Sequence, residues 1–289
     1  MTSRASGRRR TWLRRLAMLS VSLLLLALAA RLVGSRALLD GWTVLSPTTV
    51  GAALLAGLVA TSAQALRWRI LAGQRGIGLT FRRALADCYA SGFGNMVLPG
   101  GLGGDAARVA VHRDSGDQRW TSPLVAVGAE RLSATTVLFA VAAVTLQGQS
   151  IQWAAAAAVI ALACLVIALR CMRGLGVMRS ALVWGSSVLG VLALVALYLT
   201  AMRALGGPVV PVLAIVGLAS MSVPLGIGGW GVRELGVGVL APVLSVAGDH
   251  AVATATAYGL LATISCLPGM VVLVRAGDPR AADAGMLTP

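Results

Sequence analysis

The chain contains no lysine; all 24 of its basic residues are arginine. That absence excludes a phosphate-binding P-loop, which needs a Gly-Lys-Ser/Thr run. Charge of either sign is scarce, at 12% of 289 residues, against 57% hydrophobic residues and a mean hydropathy of +0.84. No water-soluble fold of this length carries so little charge, so the chain reads as a polytopic membrane protein. Metal-ligand types are scarce as well. Cys88, Cys164, Cys171 and Cys266 lie in or beside apolar stretches without a C-x-x-C, and His112 and His250 stand isolated at predicted loop edges. The cysteines read as small core residues, with no metal and no cofactor expected. Aromatics, at 4%, do not interleave with basic residues, so the net charge of +14 is not a nucleic-acid footprint. It has the distribution of cytoplasmic membrane loops.

Residues 1–15 form a basic amino terminus, followed by an apolar run, Leu16 to Val33, long enough to span and poorly suited to signal cleavage. Further spans are expected at about Pro47–Leu66, which ends in Arg67, Arg69 and Arg75, and at Ser122–Leu146, Ile151–Leu169, Ala181–Met202 and Ala251–Val274. With the amino terminus inside, only Arg31, Arg36 and Arg203 fall on the outer side. That asymmetry favours cytoplasmic termini, including a short tail over 276–289. Short loops and an apolar exterior point to the inner membrane of a bacterium or a comparable plasma membrane.

Two glycine-rich breaks interrupt this pattern. Pro99-Gly-Gly-Leu-Gly-Gly-Asp-Ala-Ala-Arg108 and Pro224-Leu-Gly-Ile-Gly-Gly-Trp-Gly-Val-Arg233 share the proline, the glycine two positions on, the following Gly-Gly pair and the final arginine. This is an internal repeat. The flanking apolar pieces, Ala84–Leu98 with Ala106–Val111 and Pro208–Val223 with Leu235–Val246, are too short to cross comfortably. They predict an all-α fold of about six spans and two re-entrant hairpins. The halves, about 16–147 and 151–275 of a domain over 16–275, have opposite orientation, as in transporters whose site lies between broken helices. The expected break residues are Pro99, Gly103, Gly104, Pro224, Gly228, Gly229 and Gly231. Gly-Leu-Gly-Gly-Asp is no dinucleotide fingerprint, since it lacks a βαβ unit.

Intramembrane charges are functional candidates by default. Here they are Glu130, Arg131, Arg233 and Glu234, joined by Asp105 and Arg108 on the hairpins. Arg108 and Arg233 offer planar forks suited to a lipid phosphate, and the helices restarting after Gly104 and Gly231 would aim their positive ends at the same anion. Glu130 and Glu234 would keep the site near neutral, hold the arginines or meet an amino group on the head. The competing reading is structural: each glutamate neutralises an arginine across the bundle and locks the hairpins.

The runs Leu98–Arg108, Glu130-Arg131 and Pro224–Glu234, closing with Leu267-Pro268-Gly269, resemble the lysylphosphatidylglycerol synthase/flippase-like transmembrane family over residues 15 to 275. In that family's best-known members this region moves an aminoacylated phospholipid between leaflets and a soluble carboxy-terminal domain makes the lipid. The present chain stops soon after its last span, so the resemblance implies lipid translocation without the synthase activity, not an enzyme. The expected partners are membrane lipids: a phospholipid, glycolipid or polyprenyl-phosphate lipid. A membrane enzyme would need an acid/base or metal cluster in a long loop, whereas these loops are short and nearly free of carboxylates. The alternative is a non-catalytic membrane partner of a separate lipid synthase or glycosyltransferase, which would tolerate loss of Arg108 and Arg233.

Overall fold

Apolar runs of about 20 residues fold as helix wherever water cannot satisfy the backbone. The structure, a computed structural model, describes residues 20, 24, 31, 35–98, 100–118, 120–223, 225 and 227–276. Among these every regular element is helical. The expected first span, Leu16–Val33, lies outside them apart from isolated positions, as do Pro99, Pro224 and residues 277–289.

Helix α1 (Ser35–Asp40) and a short 3-10 helix (Gly41–Val44) lead into α2 (Pro47–Gly73). A reciprocal cap fixes the start of α2: Ser46 Oγ accepts from the Thr49 N–H, Thr49 Oγ1 accepts from the Ser46 N–H, and Pro47 presets the first turn. Helix α3 (Phe81–Val97) is capped by Thr80 and ends at extended Leu98, whose successor is a proline. There follow α4 (Gly103–Val111), α5 (Thr121–Leu146), α6 (Ile151–Cys171), α7 (Val177–Ala204), α8 (Pro211–Ser220), α9 (Val232–Leu240), α10 (Gly248–Cys266) and α11 (Pro268–Ala276). Helices α2, α5, α6, α7 and the α10–α11 pair are long and apolar enough to cross a membrane. The chain is a multi-pass, all-helical membrane protein.

One boundary departs from expectation. Helix α2 does not stop at Leu66 but runs to Gly73, carrying Arg67 into the bundle at 5% exposure. Arg67 is therefore not a loop arginine; its Nη1 donates to the Ser186 carbonyl at 2.7 Å. A cation given an internal acceptor need not end a span.

Helix α10 is the centre of the bundle. Every residue from Ala251 to Ala262 is buried, and α1, α2, α7 and α9 all pack against it. Its small side chains allow that approach: Thr256 fills the space over Gly41, Ser265 that over Gly57, and Gly259 makes room for Arg233. Helix α6, by contrast, packs along α5 and turns Val159 and Leu162 outward as lipid-facing residues.

Helices α3 and α4 form an antiparallel hairpin. Gly94 and Gly104 meet without room for a side chain, and His112, just past α4, returns to Asp87 near the start of α3. The turn between them uses Gly100 and Gly101 at φ +83° and +63°, a region that side chains disfavour. Helices α8 and α9 pack as a second hairpin, with Gly236 over Ser220. The turn of this hairpin places Gly228 against Met96 in the last turn of α3, so the two hairpins meet there.

A Cβ at Gly104 would land on the Ser91 carbonyl. Gly104→Ala is expected to destabilise the purified protein by about 1–3 kcal/mol, as overpacking does. Gly128→Ala, with nothing within reach on α5, should be neutral or stabilising by about 0.5–1 kcal/mol. Thermal melts in detergent compare the two.

Candidate functional site

A helix that restarts inside an apolar bundle exposes backbone N–H groups that apolar neighbours cannot satisfy. At α4 they are met from across the hairpin: Asn95 Oδ1 on α3 accepts from the Gly104 N–H (2.8 Å) and the Asp105 N–H (3.2 Å). Asn95 Nδ2 then donates to Asp105 Oδ2 at 3.2 Å. Asp105 lies in the first turn of α4, where the helix dipole favours a carboxylate. Its Oδ1 receives Arg108 Nη2 at 3.0 Å, and its Oδ2 is paired with Arg131 of α5. Arg108 Nη2 also reaches Glu130 Oε2 at 2.7 Å, while Gln64 of α2 donates to Glu130 Oε1 at 2.9 Å. Four helices are thereby tied together at the first break.

The network continues along the hairpin. The Arg108 guanidinium lies 4.7 Å from the centre of the Trp68 ring, and its Nη1 is 3.2 Å from Cys88 Sγ. His112 packs its ring against Trp68 as well, tilted and 5.6 Å between centroids, and its Nε2 lies 2.8 Å from Asp87 Oδ2. Arg83 Nε closes the chain on Asp87 Oδ1 at 3.1 Å. His112, expected to stand isolated at a loop edge, is in fact buried and paired, because α4 folds back along α3. Cys88 is buried as a small core residue.

The second break is built differently. Arg233 pairs with its neighbour Glu234, and both are fully enclosed. Glu234 Oε2 accepts the Gly231 N–H at 2.7 Å, so this carboxylate caps its own helix, α9. The Arg233 guanidinium lies 5.0 Å from the Trp230 ring centre and 5.6 Å from that of Tyr258, which stacks on Tyr198.

The chain's two glutamates thus each serve a hairpin arginine. The expected residues fall into two sets: Asp105, Arg108, Glu130 and Arg131 at the first break, Arg233 and Glu234 at the second. Among the described residues no hydrogen bond, ion pair or ring contact joins the sets. The helix starts expected to face an anion are occupied by Asn95 and Glu234. Gly103 packs over Leu98, and Gly229 over Met221, shaping the turns rather than touching the charges. Sequence reasoning did not single out Gln64, Trp68, Asp87 or Asn95, although a polar residue in an apolar helix is itself a signal. Exposure separates the two breaks: Arg233 is sealed, whereas the Arg131 side chain is 41% exposed.

Arg233→Met would leave Glu234 charged and buried, with an expected loss of about 3–5 kcal/mol. Adding Glu234→Gln should recover part of it, because the amide oxygen still accepts the Gly231 N–H. A double-mutant cycle of unfolding midpoints checks this, and additive losses would mean that the pair is not coupled.

No curated protein and no solved structure matches the chain. The family described as lysylphosphatidylglycerol synthase TM region matches residues 15–269, a stretch that takes in both breaks and all of the charges above. The chain belongs to the lysylphosphatidylglycerol synthase TM region family.

Proposed function

We propose that the protein moves a lipid between membrane leaflets as a flippase or scramblase-like facilitator, with the head group held at the first break by Asp105, Arg108, Glu130 and Arg131. The observation that carries this reading is the position of Arg131. It belongs to a charge network buried among apolar helices, yet its side chain remains 41% exposed beside Asp105. An isolated charge at membrane depth costs roughly 2.5–3.5 kcal/mol on insertion scales. A protein that only needed rigid helices could avoid such a charge, whereas one that carries polar head groups needs it. The carboxylates keep the resting site close to neutral, and the guanidinium forks offer paired donors to a phosphate.

The architecture supports the same reading. Each hairpin turns back on itself within the bundle, and their sequence repeat favours two re-entrant elements in inverted halves, with Leu16–Val33 as a sixth span. The arginine-rich segments favour cytoplasmic termini in a bacterial inner membrane or similar plasma membrane. In this arrangement Arg233 and Glu234 brace the second hairpin against α10, and the first break handles the head group. Phospholipid, glycolipid and polyprenyl-phosphate lipids share the phosphate or polar head that such a site recognises.

Proteoliposomes loaded with head-labelled anionic and neutral lipids test the proposal. Wild-type protein should speed the movement of at least one lipid class. Arg131→Gln should lower that rate by about tenfold or more while shifting stability by only about 1 kcal/mol, as expected for a half-exposed pair. If no lipid moves faster than in empty vesicles, across head groups and with a pH gradient, the translocator reading fails. Transport unchanged by Arg131→Gln would place the head group elsewhere.

A further inference from the structure

Arg67 is the buried cation that the charge pairing leaves out. Arg83, Arg108 and Arg131 are balanced by Asp87, Asp105 and Glu130, three against three. Among the described residues Arg67 has one hydrogen bond, from Nη1 to the Ser186 carbonyl of α7, and no ion pair; its Nε is buried without a partner. Gly190 of α7 leaves the space beside which this guanidinium lies. A cation that is 5% exposed and held by a neutral carbonyl is a costly way to join two helices. Glu130, on the neighbouring α5, has the matching gap. It is 2% exposed, and Gln64, one turn before Arg67 on α2, donates to its Oε1 at 2.9 Å. Its Oε2 lies 2.7 Å from Arg108 Nη2, yet no N–H is aimed at it, and the same nitrogen donates to Asp105 Oδ1 at 3.0 Å. Of the charges around Arg67, that of Glu130 acts on it most strongly, with Arg108 and Arg131 opposing.

We propose that Arg67 is a positioning residue, held in reserve on the Ser186 carbonyl, that replaces Arg108 as the counter-ion of Glu130 when Arg108 turns to a head group. Arg108 serves two carboxylates through one nitrogen, so any ligand that draws it away leaves Glu130 ionised and unpaired in the bundle interior. Removing one partner of a buried pair is strongly destabilising, and a second cation already inside removes that penalty. The exchange asks for a change of rotamer at Arg67, not a shift of helices. Gln64 keeps its bond to Oε1 throughout and holds the carboxylate beside α2. Departure of the ligand returns Arg108 to Glu130 and Arg67 to Ser186. The part this exchange plays in transport rests on the translocator reading; the exchange itself does not.

The chain's glutamates are Glu130 and Glu234, so heavy-carbon labelling of glutamate carboxyls lets infrared spectroscopy of the purified full chain read Glu130, with the Glu234 band common to every sample. A buried carboxylate with no cation beside it takes up a proton, and its carboxylate band gives way to an acid carbonyl band. At neutral pH Glu130 should be ionised in the wild type and in Arg67→Gln, where Arg108 holds it. It should stay ionised in Arg108→Gln, where Arg67 takes over, and be protonated in the variant carrying both changes. Protonation in Arg67→Gln alone would make Arg67 the resting counter-ion and overturn the proposal. Protonation in Arg108→Gln would overturn it too, since Arg67 would not have reached the carboxylate, and so would an ionised Glu130 in the double variant. Should the double variant not fold, adding Glu130→Gln is expected to restore it, because the amide needs no counter-ion; failure to restore it would assign Arg67 to the α2–α7 contact alone. These spectra need no transport. The expected pattern in a protein that moves no lipid would keep the exchange and remove the translocator reading, while wild-type transport alongside a protonated Glu130 in Arg108→Gln would do the reverse.

Discussion

The structure around the first hairpin depends on one side chain, Asn95, accepting the N–H groups of Gly104 and Asp105. A helix that begins inside a packed apolar bundle has no water to satisfy its first turn, so its start must be capped by protein. Asn95 does so from the preceding helix, which fixes where along α3 the next helix starts and holds the two in register. Asp105 is thereby placed to take Arg108 and Arg131, and Arg108 to take Glu130. With the cap absent, the charge network would lose the geometry that balances it.

The second break meets the same constraint from within. Glu234 caps α9 and neutralises Arg233 with one carboxylate, and aromatic rings enclose the pair. Two breaks with related sequences have thus diverged in physical character. One is a self-contained, closed pair suited to bracing, and the other is a distributed network that reaches the surface at Arg131. The difference follows from where the carboxylate partners come from: Glu130 is supplied by a separate span, Glu234 by the hairpin itself.

Much of the fold was legible from residues alone. Helices α2, α5, α6, α7 and α10–α11 fall where apolar length predicts spans, and the glycine repeats mark both turns, because hydrophobic length and backbone freedom are local properties. The end of α2 was misjudged at Arg67, since only tertiary structure supplies the Ser186 carbonyl that lets a cation stay inside. The six charged residues of the site were legible as rare intramembrane charges, but their pairing was not. Asn95 precedes Gly104 by nine positions, and His112 follows Asp87 by twenty-five; these spacings acquire meaning only once α4 has folded back along α3. Arg108 and Arg233 share a repeat position, yet sit in different cores, Arg108 against Trp68 and Arg233 against Tyr258.

The contact of Gly228 with Met96 bears on how closely the two hairpins can pack. Both the sulfur and the carbonyl of Met96 lie where a side chain at position 228 would begin, and glycine, at φ +59°, lets the second turn come this close to the end of α3. A side chain at position 228 would push the two hairpins apart, so the spacing between them is set by the absence of one.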